Sequence, residues 1–185
     1  MIFILLLAVS VSSVPGSEAQ PVYVLEYPGV AFGYLPEVMV PPLEGTLTEE
    51  SGVLTNRPNE QGVEVHLYYW KEDLGTDLRK DHWLSNRFRD IVPPDLFSSM
   101  VVGFVDWMQC GTGPGEAGTG PVGLVPRLNF NIIDESGKIR ARGRAFAAFT
   151  GDYSLLFYIL VPEGVDVDVE KELTETVDNM YLLLD

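Results

Sequence analysis

The stretch "YSLLFYILV" (Tyr153–Val161) constrains this chain more than any other. Alternate residues of a strand point to opposite sides, so a strand with one wet face alternates apolar and polar. Here both alternate sets are apolar, which places the strand deep in a sheet with something covering each side. Ile139–Phe149 is a second long β-rich run just before it, joined through the tight turn "TGDY". Val122–Ile133 precedes that run across "DESGK". The three strands therefore read as an antiparallel meander.

The rest of the chain supplies more strands and two helical patterns. Val22–Glu26 and Val30–Leu35 read as short strands around Pro28-Gly29, and Gly45–Thr55 as another strand between the loops "PEVMVPPLEG" and "NRPNEQG". "VEVHLYYW" alternates, with Val63, Val65, Leu67 and Tyr69 on one face and Glu64, His66, Tyr68 and Trp70 on the other. Leu74, Leu78, Leu84, Phe88 and Ile91 then recur at helical spacing until Pro93-Pro94 stops the run. Met100–Met108 is a further strand. At the end, Asp168 stands as an N-cap before the stripe Val169, Leu173, Val177, Met180 and Leu184, which predicts a helix lying on the sheet. The expected class is α+β: an antiparallel β-sheet covered by helices, a layered α/β/α-type sandwich.

The first residues, "MIFILLLAVSVSSVPGSEAQ", hold an apolar run from Ile2 to Val11, too short to span a bilayer, then Pro15-Gly16 and the small pair Ser17 and Ala19 before Gln20. That is the pattern of a secretory signal peptide over residues 1–19, although no Lys or Arg precedes the run; the alternative is a buried N-terminal strand. A single domain over residues 20–185 is expected to be exported, periplasmic or extracellular, with no stable membrane insertion after the leader is removed. A chain of 185 residues can bury a sizeable core without disulfides or metals. Its formal charge is −15, about −14 without Glu18, so a phosphate backbone repels it and nucleic acid is not an expected partner. Cys110 is the only cysteine, which excludes an internal disulfide and a four-thiolate zinc site. It reads as a small hydrophobe at a strand end or as a thiol for intermolecular chemistry.

Three segments resemble the PsbP-like fold family, which includes photosystem II extrinsic proteins, relatives that bind the small GTPase Ran, and exported bacterial proteins. "YPGVAFGYLPE" (Tyr27–Glu37) resembles that family's opening hairpin, "GRAFAAFTGDYSLLFYILVP" (Gly143–Pro162) its two long strands, and "VEKELTETVDNMYLL" (Val169–Leu183) its last helix. The resemblance implies a binding or accessory module without catalysis. Metal ligands proposed in photosynthetic members have no matching motif in this chain.

Chemistry-bearing patterns are sparse. His66 and His82 are the only histidines, neither has a ligand-spaced neighbour, and no nucleophile elbow or zinc-protease motif occurs. A hydrolase would have to use one of them, but both read better as ordinary surface or half-buried imidazoles. No catalytic residue, metal site or cofactor is expected. "IRARGRAF" alternates arginine, so Arg140, Arg142 and Arg144 project from one side of a strand. Burying Leu124, Leu128, Phe130 and Ile132 against Ile139, Ala141, Gly143 and Ala145 adds Arg127, Asn129 and Asn131 to that side. This register requires an even number of turn residues, whereas Asp134 and Gly137 favour a three-residue loop of the other parity. Burial outweighs turn preference, because burying arginines unpaired costs more. The four arginines are either a solvated face paired with carboxylates or a patch recognising anions or carboxylates on another protein. Tyr68, Trp70, Trp83 and Trp107 are candidates for a ligand pocket between sheet and helix, although aromatics at these spacings more often form plain core.

Gly113, Gly115 and Gly118 spell G-x-G-x-x-G within "GTGPGEAGTG" (Gly111–Gly120). A phosphate loop needs a helix next, but "PVGLVPRLNFNII" is extended, and Glu116 repels phosphate. The segment reads as a long connection between antiparallel strands. The functional expectation is an exported, non-enzymatic module that binds another protein, in the cell envelope or outside the cell. A small-ligand binder is the alternative and a hydrolase the third.

Overall fold

The centre of the molecule is the strand that the sequence marks as apolar on both sides. The computed structural model describes residues 22–25, 27, 30–33, 44–56, 61–72, 80–110, 123–150, 152–165 and 180–182. Its strands are β1 (Val22–Leu25), β2 (Val30–Gly33), β3 (Glu44–Leu47), β4 (Ser51–Thr55), β5 (Glu64–Lys71), β6 (Met100–Cys110), β7 (Gly123–Ile133), β8 (Ile139–Thr150), β9 (Tyr153–Pro162) and β10 (Met180–Leu182). Two helices, α1 (Lys80–Ile91) and α2 (Pro94–Ser98), lie between β5 and β6. Seven strands form one antiparallel sheet in the order β3-β4-β5-β9-β8-β7-β6, and β1-β2-β10 form a smaller one. β9 is the middle strand of the seven, and Ser154–Val161 are all buried.

The fold is thus mainly β, which corrects the expected α+β sandwich. Among the described residues the helices number two, of 12 and 5 residues, against ten strands. One reason lies at the C-terminus. The stripe read as a helix includes Met180–Leu182, yet these residues extend and pair antiparallel with β2, Met180 opposite Phe32 and Leu182 opposite Val30. The second edge of β2, whose first edge pairs with β1, overrides a helical spacing whose residues are also good β-formers. Residues 166–179 of that stripe, the signal peptide expectation over 1–19, and the glycine segment 111–120 lie outside the described residues, as do Leu74 and Leu78. Gly45–Thr55 is also a hairpin rather than one strand, closed where Thr48 Oγ1 donates to the Ser51 carbonyl at 2.7 Å.

Each face of the large sheet has its own core. On one face, Leu84 and Phe88 of α1, with Val92 just after it, cover Leu128, Phe130, Ala145, Leu156 and Tyr158. The spacing of Leu84, Phe88 and Ile91 gives α1 its apolar stripe, and Pro94 opens α2 at its first position, where a missing N–H costs nothing. On the far face, Val65, Leu67, Tyr69, Phe146, Phe157 and Ile159 pack together, and Leu25 of β1 joins them. The two faces of β5 are divided as the alternation of "VEVHLYYW" dictates. Asn56 is buried where β4 ends. Its Nδ2 donates to the Val63 carbonyl at 3.1 Å, and its Oδ1 accepts from the Val65 amide at 2.7 Å. The side chain thus satisfies backbone groups that would otherwise be buried unpaired.

The β7–β8 hairpin resolves the conflict between turn chemistry and burial. Gly137 N–H donates to the Asp134 carbonyl at 2.9 Å, Gly137 takes φ 81°, and the Asp134 amide donates to Lys138, so the loop is the three-residue one. Continued unchanged, that turn would set Phe130 opposite Arg142. Instead Ile133 pairs with Ile139 but Ile132 with Ala141, leaving Arg140 as the extra residue of a β-bulge. Beyond it Phe130 faces Gly143 and Leu128 faces Ala145, the register that burial demands. The expected even-numbered loop is therefore wrong, the bulge supplies the missing residue, and Ile139, expected among the buried-face partners, instead stands opposite Ile133 before the bulge. Gly143 must be glycine, since a Cβ there would lie 2.1 Å from the Phe130 ring.

Candidate functional site

The arginines gather at one corner of the far face, and carboxylates meet them there. Arg127, opposite Phe146 on β7, donates from Nε and Nη2 to Asp106 Oδ1 and Oδ2 at 2.8 and 2.6 Å. This fork, with the charge of Arg144 behind it, holds the Asp106 carboxyl below its usual range. Arg142 meets Glu163 at 3.2 Å. Arg140, displaced by the bulge, reaches back to Asp134 at 2.8 Å. Asp134 also accepts from the Ser136 hydroxyl, the Ser136 amide and the Lys138 amide. Those bonds, with Arg140, lower its pKa to about 2. The hairpin thus brings Arg127, Arg142 and Arg144 to one face, while Arg140 serves the turn. Arg127, Arg140 and Arg142 each have a carboxylate from their own chain.

The aromatic candidates divide differently. Tyr68 and Trp70 stack along β5 with ring centroids 6.0 Å apart, and Trp83 of α1 meets Trp70 edge-on at 5.7 Å. Arg87 lies over Trp70, 4.9 Å from its centroid. Glu72 accepts from Trp83 Nε1 and from Arg87 Nη2, both at 2.7 Å. The polar handles of this cluster are therefore engaged with one another. Trp107 stands apart on β6, with β9, β8 and β7 between it and β5. His66 is half-buried, stacked on Tyr158 at 4.3 Å with Nε2 3.2 Å from Glu64 Oε2. The bond from His66 lowers the Glu64 pKa. Burial, then the neighbouring Tyr68 and Glu64, push the Tyr158 hydroxyl up. His82 is exposed on α1, on a different element. Among the described residues no group of three or more His, Cys, Asp and Glu is placed to hold a metal. No described helix is long and apolar enough to cross a membrane.

Sequence reasoning missed the most unusual surface. Among the described residues β6 is an edge strand of 11 residues, "MVVGFVDWMQC", and four of its large apolar side chains face solvent: Phe104 97% exposed, Val101 53%, Trp107 44% and Val102 38%. Val102 pairs with Phe130 and Val105 with Leu128, so Gly103 and Phe104 together oppose the one residue Asn129. The bulge turns Phe104 outward. Edge strands usually carry lysine or proline against unwanted pairing. β6 has neither, and its one charged residue, Asp106, is bound by Arg127. The available signal was compositional: an apolar strand with one charge and no alternation, but with no partner named on either side.

No protein-family model and no curated protein sequence matches the chain. A Bacteroides thetaiotaomicron protein of known structure is similar to it at TM-score 0.48 and 12% identity, over 87% of this chain and 47% of that one. This chain thus spans about half the length of the structure it matches. At that level neither a fold family nor an activity passes to it, and the PsbP-like resemblance is not touched.

Proposed function

We propose that this chain is an exported, non-enzymatic binding module that docks another polypeptide along the β6 edge by strand addition. The observation that carries the reading is the row of Val101, Val102, Phe104 and Trp107 exposed on that edge. An edge strand offers unpaired N–H and C=O groups, and exposed apolar side chains beside them give an incoming strand something to bury. The arginine corner borders this edge through Arg127 and Asp106, where it holds β6 to β7. The aromatic cluster supports a ligand pocket less well, because Glu72 already engages the indole N–H and the guanidinium.

Site-specific photo-cross-linking in the producing cell tests the docking edge. A photoreactive residue at position 104 is expected to capture a polypeptide, and one at position 46 on the β3 edge is not. Equal capture at both positions, or none at 104, would refute the reading. Export is tested on the same material, since N-terminal sequencing is expected to begin at Gln20.

A further inference from the structure

We propose that the strand occupying the β6 edge is β6 of a second copy of this chain, paired antiparallel about a twofold axis through Val105. This inference rests on the reading of β6 as a docking edge and names its partner. The bulge sets the spacing. Gly103 and Phe104 together fill one ladder position, so Val102 stands two positions before Val105 and Trp107 two positions after it. All three share the α1 face, being opposite Phe130, Leu128 and Pro126 of β7. Without the bulged residue, Val102 and Trp107 could not be equidistant from a common residue on that face.

A twofold through Val105 therefore sets Val102 of each copy opposite Trp107 of the other. Val105 meets itself at the centre. The two apolar side chains left exposed on this face of one copy, 38% and 44%, cover those of the second. On the far face, Asp106 comes opposite the Gly103–Phe104 position of the second copy, never opposite another Asp106. That matters for a chain carrying −15, because like charges facing across strands would oppose association. Asp106 is moreover held by Arg127 of its own copy. An isologous interface needs one patch complementary to itself, and a strand from an unrelated protein would require none of this symmetry.

Sedimentation of the purified protein is expected to give twice the monomer mass, falling towards the monomer on dilution. Phe104→Asp places a carboxylate beside Asp106 of the second copy and is expected to raise the dimer dissociation constant roughly a hundredfold. Phe104 is almost wholly exposed, so that variant keeps the monomer's melting temperature. Thr46→Lys, on the opposite edge, leaves the dimer intact. In a Cys110→Ser background, Val105→Cys is expected to cross-link to itself under mild oxidation, whereas Val102→Cys links only when combined with Trp107→Cys. A monomer at every concentration, a dimer indifferent to Phe104→Asp, or a dimer in which Val105→Cys fails to link would overturn the proposal. If the chain is monomeric and position 104 still captures a foreign polypeptide, self-pairing falls and the docking edge stands. Should position 104 capture nothing, both fall.

Discussion

β3 and β6 are the two edges of one sheet, and they differ in every property that governs pairing. β3 has four residues, of which Glu44, Gly45 and Thr46 are exposed, and the turn after it carries Glu49 and Glu50. Glu49 is tied to Lys71 of β5. A short, acidic edge offers an incoming strand little to hold and a charge to avoid. β6 has 11 residues, exposes four large apolar side chains and neutralises its one charge internally. The contrast points to β6 in a molecule where Arg87, Arg127, Arg140 and Arg142 each already meet a carboxylate of the same chain. What marks β6 is its length and its row of exposed apolar side chains, where β3 is short and flanked by carboxylates.

The two sides of the sheet are held by different contacts. Asn56→Ala removes two bonds to buried backbone groups beside β4, and is expected to cost about 2–4 kcal/mol in denaturant unfolding. A loss below about 1 kcal/mol would mean that water replaces the side chain. On the β6 side the equivalent lesion is steric. Gly143→Ala drives a Cβ into the Phe130 ring, which lies opposite Val102, and is expected to cost about 1–3 kcal/mol. Arg127→Ala should cost about 1 kcal/mol and less at high salt, since the Asp106 it grips is half exposed. A fully salt-independent effect would show packing rather than charge at work.

Single charges on the edges themselves sharpen the contrast. Val102→Lys and Thr46→Lys are each expected to change stability by less than about 0.5 kcal/mol, while only the first abolishes docking. The smallest effect belongs to the β7–β8 turn. The Asp134 carboxyl is depressed from 3.8 to about 2, so its contribution is complete above pH 3.8 and is lost as pH falls towards 2. Asp134→Asn should flatten the acid dependence of the melting temperature within that window. An unchanged slope would assign the acid sensitivity elsewhere.

Much of the architecture was legible. "YSLLFYILV" placed β9 at the centre because no alternation was present to give it a wet face, and "VEVHLYYW" sorted its residues onto the correct faces of β5. The partners of Phe130 and Leu128 were also legible, since burying arginines is costly enough to fix a register. Bulges were not. Arg140 and the Gly103–Phe104 pair each shift pairing by one residue, and nothing in their composition distinguishes them from neighbours in regular pairing. The helical stripe at the C-terminus misled at Met180–Leu182, because its residues suit either period and β2 supplied the deciding partner. Phe104 escaped notice for a related reason: an apolar residue in an apolar strand reads as core until the edge is known.

The bulge at Arg140 also bears on how this hairpin can change over generations. Arg140 is one residue more than the three-residue tip and the pairing beyond it require. Deleting it would let Ala141 follow Ile139 directly, opposite Ile132, and would leave Phe130 opposite Gly143 and Leu128 opposite Ala145. The spare residue is therefore the position at which this hairpin can lose a residue while every core-facing pair is kept.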